Sequence, residues 1–130
     1  MNLAEFYRKW NAESEKIDFD RATKAAVAIT EFNGEVHQSL VACEECGELI
    51  QAITKCQRKF NDEKTDEDTK EDIRMNLIEE MADVLFMIGA MRYQFYISKE
   101  EIAKALNVKI GYAEEIIEKM TGTSNPIDSY

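Results

Sequence analysis

Between Glu35 and Lys119 this chain offers almost nothing that stops a helix: its one proline is Pro126, and only five glycines occur in 130 residues. Proline and glycine are the residues that break helices most effectively, so long helices are the default reading. Apolar residues recur at spacings of three and four, and no stretch shows the strict alternation of a half-buried strand. The pattern predicts an all-α fold, an antiparallel helical bundle of about five helices joined by short connections. At this length, with 45% hydrophobic residues, the chain can build one domain around one core.

Five helices can be placed. Leu3 to about Ala12 carries one apolar stripe, Leu3, Phe6, Tyr7 and Trp10. Asp20 to Phe32 offers Ala22, Ala25, Ala26, Ile29 and Phe32 for packing, and Asn33-Gly34 ends it. A third runs from about Glu35 to Phe60, with Val36, Leu40, Cys43, Gly47, Ile50 and Ile53 sharing one side as the expected core face. An acidic stretch, Asn61 to Asp72, leads into a fourth helix from about Asp68 to Phe95. From Leu77 to Met91 this helix is apolar almost all round, which predicts a central helix buried on nearly every side. The last begins at a capping box, Ser98-x-x-Glu101, and reaches about Met120. The organisation expected is an N-terminal helical arm over residues 1–33, a helical core over 34–121 and a polar tail over 122–130.

Within these helices, acids stand where folding does not ask for them. Glu44, Glu45 and Glu48 flank the third helix, and Glu79, Glu80 and Asp83 sit in a narrow polar arc of the apolar fourth. Spacings of three and four put Glu45 with Glu48, and Glu80 with Asp83, on one helix face. Like charges so placed destabilise a helix by roughly 0.2–0.5 kcal/mol per pair, and burying one unpaired costs several kcal/mol, in order of magnitude. Taken alone, Glu44, Glu45 and Glu48 describe a solvated face. The second cluster has little solvent-facing helix to spare, and its structural alternative is a buried pairing with Arg74, Arg92 or Lys109. Two acidic pairs on consecutive helices point instead to a hard divalent cation, Mg²⁺ or Mn²⁺, held by carboxylate oxygens. A diiron site would need Glu-x-x-His motifs, and the one histidine, His37, is not so placed. Lys55 lies in the sector of Glu48 two turns on, and Asn76 shares the polar arc of Glu80. Both are candidate substrate contacts.

Charge and cysteine usage narrow the partners. A net charge of −10 argues against a nucleic-acid surface, which needs clustered Lys and Arg. It suits a site that recruits a cation before meeting a phosphate. Cys43 and Cys46 form a Cys-x-x-Cys without the further ligands zinc requires, so both are expected to pack in the core. No export signal or membrane span is visible, and with reduced thiols this indicates a cytoplasmic protein. Apolar surface on more sides than one small bundle can cover predicts a homodimer or a dimer of dimers.

Glu44-Glu45-x-x-Glu48 followed by Glu80-x-x-Asp83 resembles the signature of the all-α nucleoside triphosphate pyrophosphohydrolases, the superfamily of MazG-type enzymes, dCTP pyrophosphatases, dimeric dUTPases and phosphoribosyl-ATP pyrophosphatase. The flanking segments, Glu-Cys-Gly-Glu-Leu-Ile-Gln-Ala-Ile and Asn-Leu-Ile-Glu-Glu-Met-Ala-Asp-Val-Leu, are similar to MazG-like proteins, and the likeness covers about residues 34 to 112. The resemblance implies Mg²⁺ held by Glu45, Glu48, Glu80 and Asp83, and a nucleotide substrate cleaved between its α- and β-phosphates to the monophosphate and pyrophosphate. Glu44, Glu45 and Glu48 are then the candidate catalytic carboxylates, with Glu44 and Glu79 as possible holders of a second ion or as the base. Two features depart from the family pattern. The gap between the half-motifs is longer, and Lys109-Ile110-Gly111-Tyr112 keeps only the Lys of a Lys-x-Asn-Arg-like pattern, which leaves Lys109 as a candidate substrate contact. The alternatives are phosphoribosyl-ATP as substrate, or a non-catalytic helical module that binds metal or protein.

Overall fold

The computed structural model describes residues 1–122, and the polar-tail expectation for residues 123–130 lies outside the described residues. Five helices appear in order: α1 (Leu3–Ala12), α2 (Phe19–Asn33), α3 (Glu35–Lys59), α4 (Glu67–Gln94) and α5 (Lys99–Thr121). No strand occurs among the described residues. The helix starts are written locally in the sequence. The side chains of Asn2, Asp18 and Asp66 each accept from a backbone N–H three residues on, at 2.8, 3.1 and 2.8 Å. Ser98 and Glu101 close the expected capping box, with bonds of 3.0 and 2.8 Å. Gly34 is the last cap of α2 and the first of α3, at φ +85° and ψ 153°, a conformation that only glycine adopts without strain.

The chain forms two compact units, Met1–Phe95 and a second beginning at Tyr96. In the first, α3 and α4 pack antiparallel. The Cys56 thiol meets the Ile73 carbonyl at 3.7 Å, Gln38 Nε2 meets Met87 Sδ at 3.5 Å, and Gln94 Nε2 donates to the Ser39 hydroxyl at 2.8 Å, so numbers rise on one helix as they fall on the other. The inward seam of α3 is Gln38, Ala42, Glu45, Leu49, Ala52 and Cys56, at alternating steps of four and three. That of α4 includes Ile73, Asn76, Glu80, Asp83, Met87, Ala90 and Gln94. Alanines at 42, 52 and 90 let the two backbones come close. α2 lies on α4 through Ala26, which sits against Gly89, and Tyr93 donates to Glu31 at 2.8 Å. In the second unit, α5 leaves Leu106, Ile110 and Met120 exposed.

Three expectations about burial are overturned. The stripe Val36, Leu40, Ile50 and Ile53 is not the core face of α3: all four are exposed, and the buried residues stand on the opposite side. Nor is α4 covered all round, since Met81, Leu85 and Ile88 are open to solvent, Leu85 by 68%. Cys43 and Cys46 are exposed rather than packed inside. One reason underlies all three. α3 and α4 meet through the faces that bear the acids, α2 takes another side of α4, and the remaining apolar faces find no cover within a single chain. No helix among the described residues is long and apolar enough to cross a membrane.

Candidate metal centre

Each acidic half-motif occupies one turn of its helix, and the antiparallel register brings the two turns level. Glu45 and Glu48 on α3 and Glu80 and Asp83 on α4 each contribute a carboxylate oxygen to a group that lies within 4.8 Å of one another. Two of the oxygens, Oε2 of Glu45 and Oε2 of Glu80, are buried and lack any hydrogen-bond partner. A buried acceptor without a donor costs roughly 1–3 kcal/mol, and more when charged. The counter-charge proposed as a structural explanation does not come from Arg74, which pairs with Glu71 at 3.3 Å.

The electrostatics record the crowding. Burial, reinforced by the charges of Asp83 and Glu48, pushes the Glu45 carboxyl up to about 7. Glu80 is likewise pushed up to about 7, by burial first and then by Glu48 and Asp83. Burial, then the charge of Asp83, raises Glu79. Asp83 is also raised, mainly by burial, although its hydrogen bond with Glu45 acts in the other direction. Four carboxylates brought together, with ionisation opposed at Glu45, Glu80 and Asp83 and two buried oxygens that lack a donor, suit an all-oxygen site for a hard divalent cation. Soft metals have no claim here, because neither a thiol nor an imidazole stands in the group.

The carboxylates open into a cavity of about 570 Å³. α3 adds Gln51, Ala52 and Lys55 to its wall, α4 adds Asn76 and Glu79, and Met1 and Leu3 contribute from the N-terminal side. Lys55 and Asn76, singled out from the sequence, thus line the same space as the four acids. Glu44 is exposed and stands outside both the four-carboxylate group and the cavity lining. Lys109 is exposed on α5, in the second unit. Sequence reasoning passed over Gln51 and Leu3. Gln51 was findable, being one turn beyond Glu48 on the same face. Leu3 carried no such signal, since its place depends on how α1 docks.

The family model of the MazG nucleotide pyrophosphohydrolase domain matches residues 36–124, more than half of the chain, taking in α4, α5, nearly all of α3 and all four carboxylates. α1 and α2 precede the matched region. No curated protein and no solved structure matches the chain at a significant level. The resemblance drawn from the two acidic half-motifs is borne out.

Proposed function

The chain belongs to the MazG nucleotide pyrophosphohydrolase domain family, and from that premise we propose that it hydrolyses a nucleoside or deoxynucleoside triphosphate between the α- and β-phosphates, releasing the monophosphate and pyrophosphate with Mg²⁺ as cofactor. The observation that carries this reading is the four-carboxylate group at the cavity, with two buried oxygens that no protein donor satisfies. Glu45, Glu48, Glu80 and Asp83 are the residues that would hold the cation, and the donor set accommodates Mn²⁺ as well. When bound, the cation supplies positive charge to offset that on the non-bridging phosphate oxygens.

The chain's own groups do the rest. A carboxylate of the α3 pair, Glu45 or Glu48, orients a water and accepts its proton as the water oxygen bonds to the α-phosphorus. The bond from that phosphorus to the α–β bridging oxygen breaks, and pyrophosphate leaves with the electron pair. Lys55 offsets charge on the β- or γ-phosphate, and the Asn76 amide offers a donor and an acceptor on the opposite wall. The reading extends to assembly: a second copy of the chain covers the open apolar faces of α3 and α4.

The test is product analysis. The purified protein is incubated with NTPs, dNTPs and phosphoribosyl-ATP, with Mg²⁺ or with EDTA, beside a Glu48→Ala variant. Metal-dependent release of pyrophosphate and monophosphate, lost in the variant, is expected. Diphosphate and orthophosphate in their place mean attack at the γ-phosphorus and sink the mechanism. Turnover of phosphoribosyl-ATP alone moves the substrate to that rival. A folded protein silent across the panel is a binding module instead.

A further inference from the structure

α1 lies outside the family's matched region, yet the cavity that holds the four carboxylates is partly walled from its side. None of its residues is buried, so packing alone holds it weakly. A directed contact supplements the packing: the Tyr7 hydroxyl donates to Asp72 Oδ1 at 3.0 Å, at the N-terminal end of α4. One turn back along α1 from Tyr7 is Leu3, and one turn on along α4 from Asp72 is Asn76. Both line the cavity, so α1 runs against the start of α4 with Leu3 turned to the site.

The walls differ in chemistry. The carboxylate group with its cation, together with Lys55, suits phosphates. Leu3 brings only apolar surface, Met1 adds an apolar side chain beside the charged terminal amine, and Gln51 and Asn76 are uncharged amides with donors and acceptors both. A phosphate gains nothing from an apolar wall. A nucleobase, flat and apolar on its faces with hydrogen-bonding groups around its edge, fits this combination, and the cavity volume lies in the range of small-ligand sites.

We propose that α1 is a specificity element added to the family's core: Leu3 forms the apolar wall on which the substrate's nucleobase packs, while Gln51 and Asn76 hydrogen-bond its edge. The inference rests on the nucleotide substrate proposed above. It places base selection partly in a segment that the family's matched region does not include, so substrate preference here is set by a local addition.

The test compares kcat/KM for dATP, dGTP, dCTP and dUTP in the native protein, Leu3→Ala, Gln51→Ala and Arg8→Ala, the last an exposed residue of α1 away from the cavity. Trp10, the single tryptophan, stands on α1 and reports by its fluorescence whether that helix remains docked in each variant. Expected is a rise of about tenfold in KM for the best substrate in Leu3→Ala, the scale of removing apolar contact from a pocket. The ranking of bases should flatten in both Leu3→Ala and Gln51→Ala, with Arg8→Ala like the native protein. Should Leu3→Ala keep α1 docked and retain the native KM and ranking, the proposal is overturned while the hydrolase reading stands. If the native protein cleaves no NTP or dNTP and binds no α,β-imido analogue of either in the presence of Mg²⁺, the hydrolase reading fails and takes this inference with it.

Discussion

Glu45 and Glu80 are in conflict with their surroundings, and that conflict is measurable. Replacing Glu45 by Gln removes one of four mutually repelling carboxylates while keeping its shape. The metal-free protein should gain a few degrees in Tm, lose most of the Tm rise that Mg²⁺ confers, and release pyrophosphate about 100-fold more slowly. A variant whose Mg²⁺-induced stabilisation equals that of the native protein removes Glu45 from the ligand set. The same conflict sets a pH dependence. In the unfolded chain these glutamates ionise near 4.5, but in the folded one only near 7. Between those values the folded state binds more protons, so this contribution to stability is full below 4.5 and is lost as pH rises through 7. Metal-free protein in EDTA should therefore melt lower at pH 8 than at pH 5.5, and Mg²⁺ should stabilise most at pH 8, where it need not displace protons. Metal-free Tm values that climb across this window contradict the assignment. Asp66 and Glu101 act in the opposite sense, but hydrogen bonds to their neighbours lower both carboxyls, so their effect falls in more acid solution.

At the scale of the element, helix ends were legible because their causes are local. Asn2, Asp18, Asp66 and Ser98 each serve a backbone N–H three residues away, and no distant contact is needed to see that. Gly34 joins α2 to α3 at φ +85° and ψ 153°. Gly34→Ala should destabilise the fold by about 1–3 kcal/mol, read from urea denaturation, through strain in a backbone region almost closed to side chains. A Cβ there meets nothing within 4 Å, so any loss comes from the backbone and not from a clash. Helix faces were less legible. On α3 the apolar stripe from Val36 to Ile53 looked like the core side, yet the inward seam is Gln38, Ala42, Glu45, Leu49, Ala52 and Cys56. Gln38 is only 1% exposed. Periodicity reports that a helix has faces, and cannot say which of two faces meets which neighbour.

For the molecule as a whole, the open faces make a prediction of their own. Val36, Leu40 and Ile50 on α3, with Met81, Leu85 and Ile88 on α4, leave more large apolar side chains in solvent than a stable monomer normally carries. A second copy laid on them turns each helix pair into half of a larger bundle. Sedimentation equilibrium should give at least twice the 15.0 kDa chain mass, and Leu40→Glu with Leu85→Glu should reduce it to the mass of one chain. A native protein that sediments as a single chain at micromolar concentration removes the second copy from the account.

By itself the sequence determined the helical class, the helix ends and the pairing of Glu45 with Glu48 and of Glu80 with Asp83. Each depends on groups within one or two turns of each other, where backbone geometry leaves little choice. Only the tertiary structure decided that the two acidic turns lie level, that two of their oxygens are buried without a donor, and that Gln51 and Leu3 border the same cavity. Those facts depend on the register between α3 and α4 and on where α1 docks. Register and docking are set by the summed packing of many small contacts, such as the alanines that let two backbones approach, and no short stretch of the chain contains that sum.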